Sequence, residues 1–430
     1  MESVSKARDV TIRPIIRASP MMRLSPYLLA HFAKSQLWHA STLLFVFFLT
    51  ERCDLAPAAT GWIMGLSLLA NAGADVVLGR CWRGAASARG VGALQALGAP
   101  LSAGFFIASC ATALIAPSLQ LGWALVTILG FRITYPLIDV PQNALVPLLV
   151  TAPADRCRLL ALRNVASQLA NLCVSGMAAP LLIGGADDRA YLAWAVAVAA
   201  LSCAGAGLLA RVRLPDSAGP VAAAAPAGAM PGYRSLVILL AVMVAAGATF
   251  RMLEPYYAAF AAPDKGFLVW AATGALIAQP LWLVASDRLG AARALQLTAA
   301  VLAGAALLLL TPLRTGALGA SAIALGYGAG TGALWLALWS GVVVGASRFT
   351  AMARVGGVTG VSKASQGAAA IAIGQMLQPD GHHATLSDPL SVASLAMVVA
   401  LLAIAGCCAA LAILVAPPPR SAVALATGRS

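Results

Sequence analysis

Twelve apolar runs begin near Leu28, Gly61, Gly90, Leu119, Leu159, Tyr191, Ser235, Phe267, Leu295, Leu318, Val355 and Leu390. Each is about 20 residues long, enough for a helix to cross a hydrocarbon core of about 30 Å. In lipid every backbone N–H and C=O has to find its partner within the segment, so such runs fold as helices. The chain is expected to be an all-α membrane protein with twelve transmembrane helices. Composition supports this: 60% of the 430 residues are hydrophobic and only 10% charged, whereas about a quarter are charged in soluble domains.

The net charge of +13 invites comparison with nucleic-acid binders. The basic residues, however, are scattered in twos and threes between apolar runs, a pattern of membrane topology. The expected surroundings are a lipid bilayer, and no nucleic-acid partner is expected. With both termini inside, nineteen Lys and Arg fall in the tails and loops of one side and four (Arg52, Arg189, Lys265, Arg314) on the other. The expectation is therefore a multi-pass protein of the cell (inner) membrane with both termini cytoplasmic. The first 27 residues are polar and basic and the next apolar stretch carries charge, so the first helix itself is read as the insertion signal, not a cleaved peptide.

Six runs precede residue 211 and six follow 234, separated by a Pro- and Gly-containing segment. The expected organisation is a tail at 1–27, a six-helix bundle at 28–210, a cytoplasmic linker at 211–234, a second six-helix bundle at 235–416 and a tail at 417–430. Two six-helix halves around a midplane site is the plan of secondary transporters built from repeats.

The chemistry concentrates in Phe131 to Leu145, where Arg132, Tyr135 and Asp139 sit at helical spacings of three and four inside an apolar run. A charge at the centre of a spanning helix costs about 2.5 to 3.5 kcal/mol on the lenient scale, which marks such residues as lining a polar cavity. The plainer alternative is that Arg132 and Asp139 pair with each other or with a neighbouring helix and hold the bundle together. His31, Lys34, Ser35 and Trp38 share one face of the first helix, and Trp335 and Trp339 one face of the tenth. Arg251 with Glu254 reads as an interfacial pair, and Tyr256 and Tyr257 as part of the aromatic belt.

Eight cysteines fall mostly in apolar segments, with no CxxC or Cys/His spacing, and the adjacent His382 and His383 lie in a loop. No metal and no cofactor is expected. The four histidines offer neither HExxH nor a Ser/His/Asp set, so the chain is not expected to be an enzyme.

Loop and helix motifs carry a family resemblance. Ser286 to Arg293, SDRLGAAR, resembles the Asp-Arg-x-Gly-x-x-Arg loop of the major facilitator superfamily. The resemblance implies that Asp287, Arg288 and Arg293 latch neighbouring helices. TYPLIDVP (Thr134 to Pro141) followed by RLLALRN (Arg158 to Asn164) resembles the helix 4 and helix 5 signature of the glycoside-pentoside-hexuronide:cation symporters, the melibiose permease group. Membership would imply the major facilitator fold and cation-coupled solute symport. It implies that Tyr135 and Asp139 contact the sugar, that Arg163 lies beside them as the nearest cation to Asp139, and that Lys34 and Trp335 border the same cavity. Lys363 matches the family's helix 11 lysine. Where the family carries two helix 2 acids that help hold the coupling cation, this chain has Asn71 and Asp75, and the family's helix 1 acid falls on Ser35.

Counting the charges read as facing the cavity gives Lys34, Arg132, Arg163 and Lys363 against Asp75 and Asp139. The excess of positive charge favours an anionic solute, such as a hexuronide, a sugar acid or another carboxylate, engaging an arginine bidentately. The alternative is that Arg132 or Arg163 snorkels to the cytoplasmic face and the cavity is near neutral. A sodium site needs several hard oxygens, whereas a proton needs one titratable group. H+ is therefore expected over Na+ as coupling cation, with Asp75 as carrier. Rival expectations are transport of an amphipathic lipid or drug-like solute, and a non-transporting sensor or assembly protein.

Overall fold

The computed structural model describes residues 24–82, 87–150, 152–185, 187–211, 233–262, 266–344, 349–377 and 392–415. Within the described residues each apolar run becomes one helical rod, twelve in all, and there is no strand. We number them in chain order. Rod α1 runs through Ser25–His39, Ala40–Leu44 and Phe45–Glu51. The rest of the first half is α2 (Pro57–Cys81), α3 (Ala88–Cys110), α4 (Pro117–Leu149), α5 (Pro153–Ala178, continued by Ala179–Ile183) and α6 (Asp188–Arg211). In the second half, α7 is Tyr233–Tyr256 continued by Tyr257–Ala261, α8 Phe267–Leu289, α9 Ala291–Leu308, α10 Ala317–Val344, α11 Ala351–Met376 and α12 Val392–Val415. The expected linker lies almost wholly outside the described residues, as do most of the first tail, the end of the chain, and His382 and His383.

Local sequence sets several of these boundaries. Prolines occupy the first turns of α1, α2, α4 and α5, where the missing N–H leaves nothing unsatisfied. Ser87 caps α3 by accepting from the Gly90 N–H at 3.1 Å. Rod α4 is interrupted at Tyr135 because Pro136 has no N–H for the Arg132 carbonyl, and the helix restarts as Pro136–Ala144. Rods α1, α5 and α7 each contain one π-helical turn. Such turns leave backbone carbonyls without their usual partners, often at functional positions.

Among the described residues, six rods (α2 to α6 and α8) are by length and composition alone apolar enough to cross a membrane, with mean hydropathies of 1.4 to 2.0. The outer surface is apolar as well: Leu97, Leu119, Val126, Leu281 and Leu318 are all more than 60% exposed. On a soluble protein so much exposed leucine and valine would be a liability, while here it is the surface that meets lipid tails.

The halves meet along α2 and α11, α5 and α8, and α1 and α7. Rods α2 and α11 touch backbone to backbone over their whole length. A Cβ on Gly374 would lie 2.6 Å from the Pro57 carbonyl oxygen, and one on Gly356 2.4 Å from that of Asp75. This approach brings Asp75 within reach of Lys363 on α11. Aromatic stacking rigidifies the first half, with Phe45 on Phe106 at 5.6 Å and Phe48 on Tyr191 at 4.7 Å.

Tyr256 and Tyr257 are buried, not part of an interfacial belt. Rod α7 passes through Pro255 to Ala261, so these residues remain inside the bundle. Tyr256 shares a hydrogen bond of 2.5 Å with Thr50 of α1, and its ring meets Phe47 at 5.1 Å. These contacts join the halves where α1 ends, near Glu51.

Candidate functional site

A cavity of about 230 Å³ lies where the halves face one another, lined by α1, α4, α5, α7, α8, α10, α11 and α12. Rod α1 contributes the face anticipated from its spacing, His31, Lys34, Ser35 and Trp38, continued by His39 and Thr42. From α4 come Tyr135, Asp139 and Asn143, and from α5 Arg163, Asn164, Ser167, Gln168 and Asn171. The second half supplies Arg251, Tyr327, Trp339, Lys363 and Gln366.

Asp139 is the hub. One carboxylate oxygen takes a hydrogen bond from the Lys34 ammonium and another, at 2.9 Å, from the Asn143 amide; the other takes one from Lys363 Nζ at 2.9 Å. Lys363 also lies 2.7 Å from Asp75 Oδ2, so one ammonium from the second half ties together two carboxylates of the first. It sits over the rings of Trp38 and Tyr135, 5.3 and 5.4 Å from their centroids. Asp75 itself is fully buried behind the cavity wall, and one turn earlier Asn71 is buried with neither amide atom bonded.

Arg163 is not the nearest cation to Asp139: Lys34 and Lys363 occupy that place, and Arg163 is reached through an amide. It donates to Asn143 Oδ1 at 3.1 Å and to Asn164 Oδ1 at 3.2 Å, stacks on Trp339 at 4.3 Å, and leaves Nε without a partner. It is 2% exposed and does not snorkel. Nor does Arg132 line the cavity, contrary to its helical spacing. It is fully buried behind Trp38, 5.2 Å from that ring, and donates to the Ser41 carbonyl that the π-helical turn of α1 makes available. Arg132 and Asp139 do not pair, and Asp139 takes its cations from α1 and α11 instead.

A second polar cluster sits farther along the cavity, built on the Arg251–Glu254 pair that the sequence placed at the membrane interface. Glu254 of α7 is fully buried and accepts from Arg251 at 2.9 Å and from the Tyr327 hydroxyl at 2.6 Å. Arg251 also donates to Asn171 across the boundary between the halves. Arg251 therefore lines the cavity with Glu254 buried behind it, and the pair is not an interfacial bridge. Beside it, His39 and Ser167 are joined at 3.2 Å.

Of the remaining sequence candidates, the Trp335 side chain lies outside the described residues, while Trp339, one turn on, lines the cavity. Asp287, Arg288 and Arg293 are exposed around the junction of α8 and α9, and no ion pair among the described residues involves them. Among the described residues no group of three or more His, Cys, Asp and Glu is placed to hold a metal.

Twelve rods in two halves of six, enclosing a polar cavity between them, define a secondary transporter with the major facilitator fold, not an enzyme. The chain belongs to the MFS/sugar transport protein family, whose profile matches residues 26–418. No curated protein sequence matches it. Solved structures with the same fold include the proton:xylose symporter XylE bound to 6-bromo-6-deoxy-D-glucose, 14% identical with a TM-score of 0.63 over 92% of this chain and 95% of that one. Others are a bacterial homologue of the human drug peptide transporters PepT1 and PepT2 (12%, TM-score 0.62, 95% and 99%) and the human organic anion transporter MFSD10 (14%, TM-score 0.56, 94% and 100%). At these identities the likeness speaks for the fold.

Proposed function

We propose that the protein carries a monosaccharide-sized carboxylate, of the sugar-acid type, in symport with a proton across the cell membrane, with both termini cytoplasmic. The observation that carries this reading is the unmatched charge of Arg163. Lys34 and Lys363 are balanced by Asp139 and Asp75, and Arg251 by Glu254. Arg163 alone among the described cavity-lining Lys and Arg has only neutral amides as partners. A buried guanidinium without a counter-charge is costly, and a carboxylate that supplies two acceptors to its fork repays that cost. Trp339 beneath the guanidinium, and Trp38 with its ring stacked on Tyr135 at 5.5 Å, border the same cavity and give its wall an aromatic edge against which a pyranose can pack. The cavity, about 230 Å³, is of a size for one sugar unit.

Coupling follows from the sharing of Lys363. A proton on Asp75 leaves the ammonium wholly to Asp139; loss of that proton draws it back. Since Lys363 belongs to one half and both aspartates to the other, the charge on Asp75 biases how firmly the halves close around the solute, which alternating access requires. The fold houses a proton:xylose symporter and an organic anion transporter, so neither coupling nor an anionic cargo is foreign to it.

The test is a thermal-shift titration of the purified protein with D-glucuronate and with D-glucose. A ligand that binds only the folded state raises the apparent midpoint. D-Glucuronate is expected to raise it, D-glucose to do so only at much higher concentration, and Arg163→Ala to abolish the difference. Equal responses to the two sugars in the unaltered protein would overturn the anionic reading.

A further inference from the structure

The cavity has two poles of different character. Asn164, which holds Arg163, and Asn171, which holds Arg251, lie on α5 seven residues apart, about 10 Å at 1.5 Å per residue. At the first pole a positive charge is left over. At the second, Glu254 cancels Arg251, and what faces the cavity is neutral overall and dense in hydrogen-bonding groups: Asn171, Ser167, His39 and the guanidinium edge. Arg251 has five N–H donors, and Glu254 and Asn171 each take one of the contacts made. Its side chain is 21% exposed toward the cavity, while that of Glu254 is 1% exposed. The arginine is thus locked in orientation from behind by a carboxylate that Tyr327 holds in turn, with its open edge presented to an occupant. A compensated, pre-oriented guanidinium is suited to hydroxyl oxygens, since a second carboxylate would meet no net charge there.

We propose that Arg251, fixed by Glu254 and Tyr327, is a second solute subsite that binds the hydroxyl-bearing end of the molecule whose carboxylate sits on Arg163. The inference rests on the anionic-solute reading above and adds to it a binding group on α7 and a polarity: carboxylate at the α4–α5 pole, polyol at the α7 pole. Arg251 touches the solute; Glu254 and Tyr327 are positioning residues acting through it.

Removing Arg251 alone would strand a buried carboxylate, so the variant to test is the charge-neutral double Arg251→Gln/Glu254→Gln, alongside Tyr327→Phe. Binding of D-glucuronate, which has both ends, and of L-lactate, which has the carboxylate and a single hydroxyl, is followed by the fluorescence of the cavity tryptophans in the purified full-length protein. The expected result is that the double variant weakens D-glucuronate by about tenfold or more, the loss of one or two hydrogen bonds to a charged group, and leaves L-lactate within about twofold. Tyr327→Phe is expected to weaken D-glucuronate less and in the same selective way. Retained L-lactate binding shows that the double variant is folded. If it is lost, Tyr327→Phe decides: selective weakening supports the subsite, and unchanged D-glucuronate binding overturns it. D-Glucuronate affinity unchanged in the double variant but lost in Arg163→Ala would sink the second subsite while sparing the anionic reading. Affinity unchanged in Arg163→Ala would sink that reading and this inference with it.

Discussion

Lys363 and Asp139 stand 224 positions apart in the sequence and 2.9 Å apart in the fold, one from each half of the molecule. Their contact joins the halves at the cavity, and the second ion pair of Lys363, with Asp75 at 2.7 Å, ties the contact to a carboxylate behind the cavity wall.

Asp139→Asn removes the charge that holds two ammonium groups, and breaking such a buried network from one side costs about 3 to 5 kcal/mol at the site. Uptake of D-glucuronate by cells or vesicles is expected to fall below detection in Asp139→Asn, with membrane expression within about twofold of the unaltered protein because the bundle is held by apolar packing elsewhere. Uptake retained at half the normal rate or more would show that Asp139 is dispensable to transport.

Asp75→Asn keeps the shape at the α2–α11 contact and takes away the only group proposed to carry the proton. In proteoliposomes an imposed inward proton gradient is expected to drive accumulation by the unaltered protein and only equilibration by Asp75→Asn. An imposed sodium gradient at constant pH is expected to drive neither. Accumulation driven by sodium, or undiminished in Asp75→Asn, rules the assignment out.

Much of this was legible in the sequence because it depends on spacing within single helices. The twelve rods, the face of α1 that carries Lys34 and Trp38, and the presence of Tyr135 and Asp139 at the cavity follow from apolar run lengths and helical periodicity. What periodicity could not supply is where a helix is interrupted. Arg132 has the spacing to share a face with Asp139, but Pro136 breaks α4 between them and the π-helical turn of α1 offers the Ser41 carbonyl behind Trp38. Arg251 and Glu254 read as an interfacial pair near the end of the seventh apolar run, whereas α7 runs on to Ala261 and carries them inside. Asn143, one turn after Asp139, was findable by the same i to i+4 spacing. That Arg163 reaches Asp139 only through this asparagine depends on packing between helices and leaves no trace in sequence.

The Thr50 to Tyr256 hydrogen bond, at 2.5 Å, spans the two halves where α1 ends, and holds them together there. Tyr256→Phe deletes it while keeping the ring against Phe47, at a cost of about 0.5 to 1.5 kcal/mol to the closed arrangement. A cysteine placed in the cavity by Thr42→Cys is expected to react roughly two to ten times faster with a maleimide added from that side when Tyr256 is phenylalanine. An unchanged rate would remove this bond from the closure.

Rods α2 and α11 leave no room for a side chain at Gly356, where a Cβ would lie 2.4 Å from the Asp75 carbonyl oxygen. Gly356→Val is expected to destabilise the folded protein by about 1 to 3 kcal/mol, the usual cost of overpacking. It should lower the thermal midpoint in detergent and impair transport, and an unchanged midpoint would mean that the two rods are not in close contact.

Native cysteines report the proposed topology. Cys81, at the end of α2, is exposed, while Cys53, in the turn after α1 and outside the spanning segments, is buried with its thiol pushed up to about 12 by burial and by the nearby Asp188 carboxylate. The thiolate is the reactive form, so Cys53 stays inert at neutral pH and becomes reactive only as the pH approaches that value. A membrane-impermeant maleimide at pH 7 is expected to modify Cys81 in inside-out vesicles and not in intact cells, and to leave Cys53 unmodified in both. Labelling of Cys81 from outside the cell would invert the orientation.

The central claim is that Arg163 holds the carboxylate of the transported solute. The most direct measurement is accumulation of radiolabelled D-glucuronate in proteoliposomes under an inward proton gradient, comparing the unaltered protein with Arg163→Ala. Accumulation by the former, inhibited by excess unlabelled D-glucuronate and not by D-glucose, and its absence in the latter are the expected results. Equal accumulation by both proteins, or inhibition by D-glucose as strong as by D-glucuronate, would contradict the account.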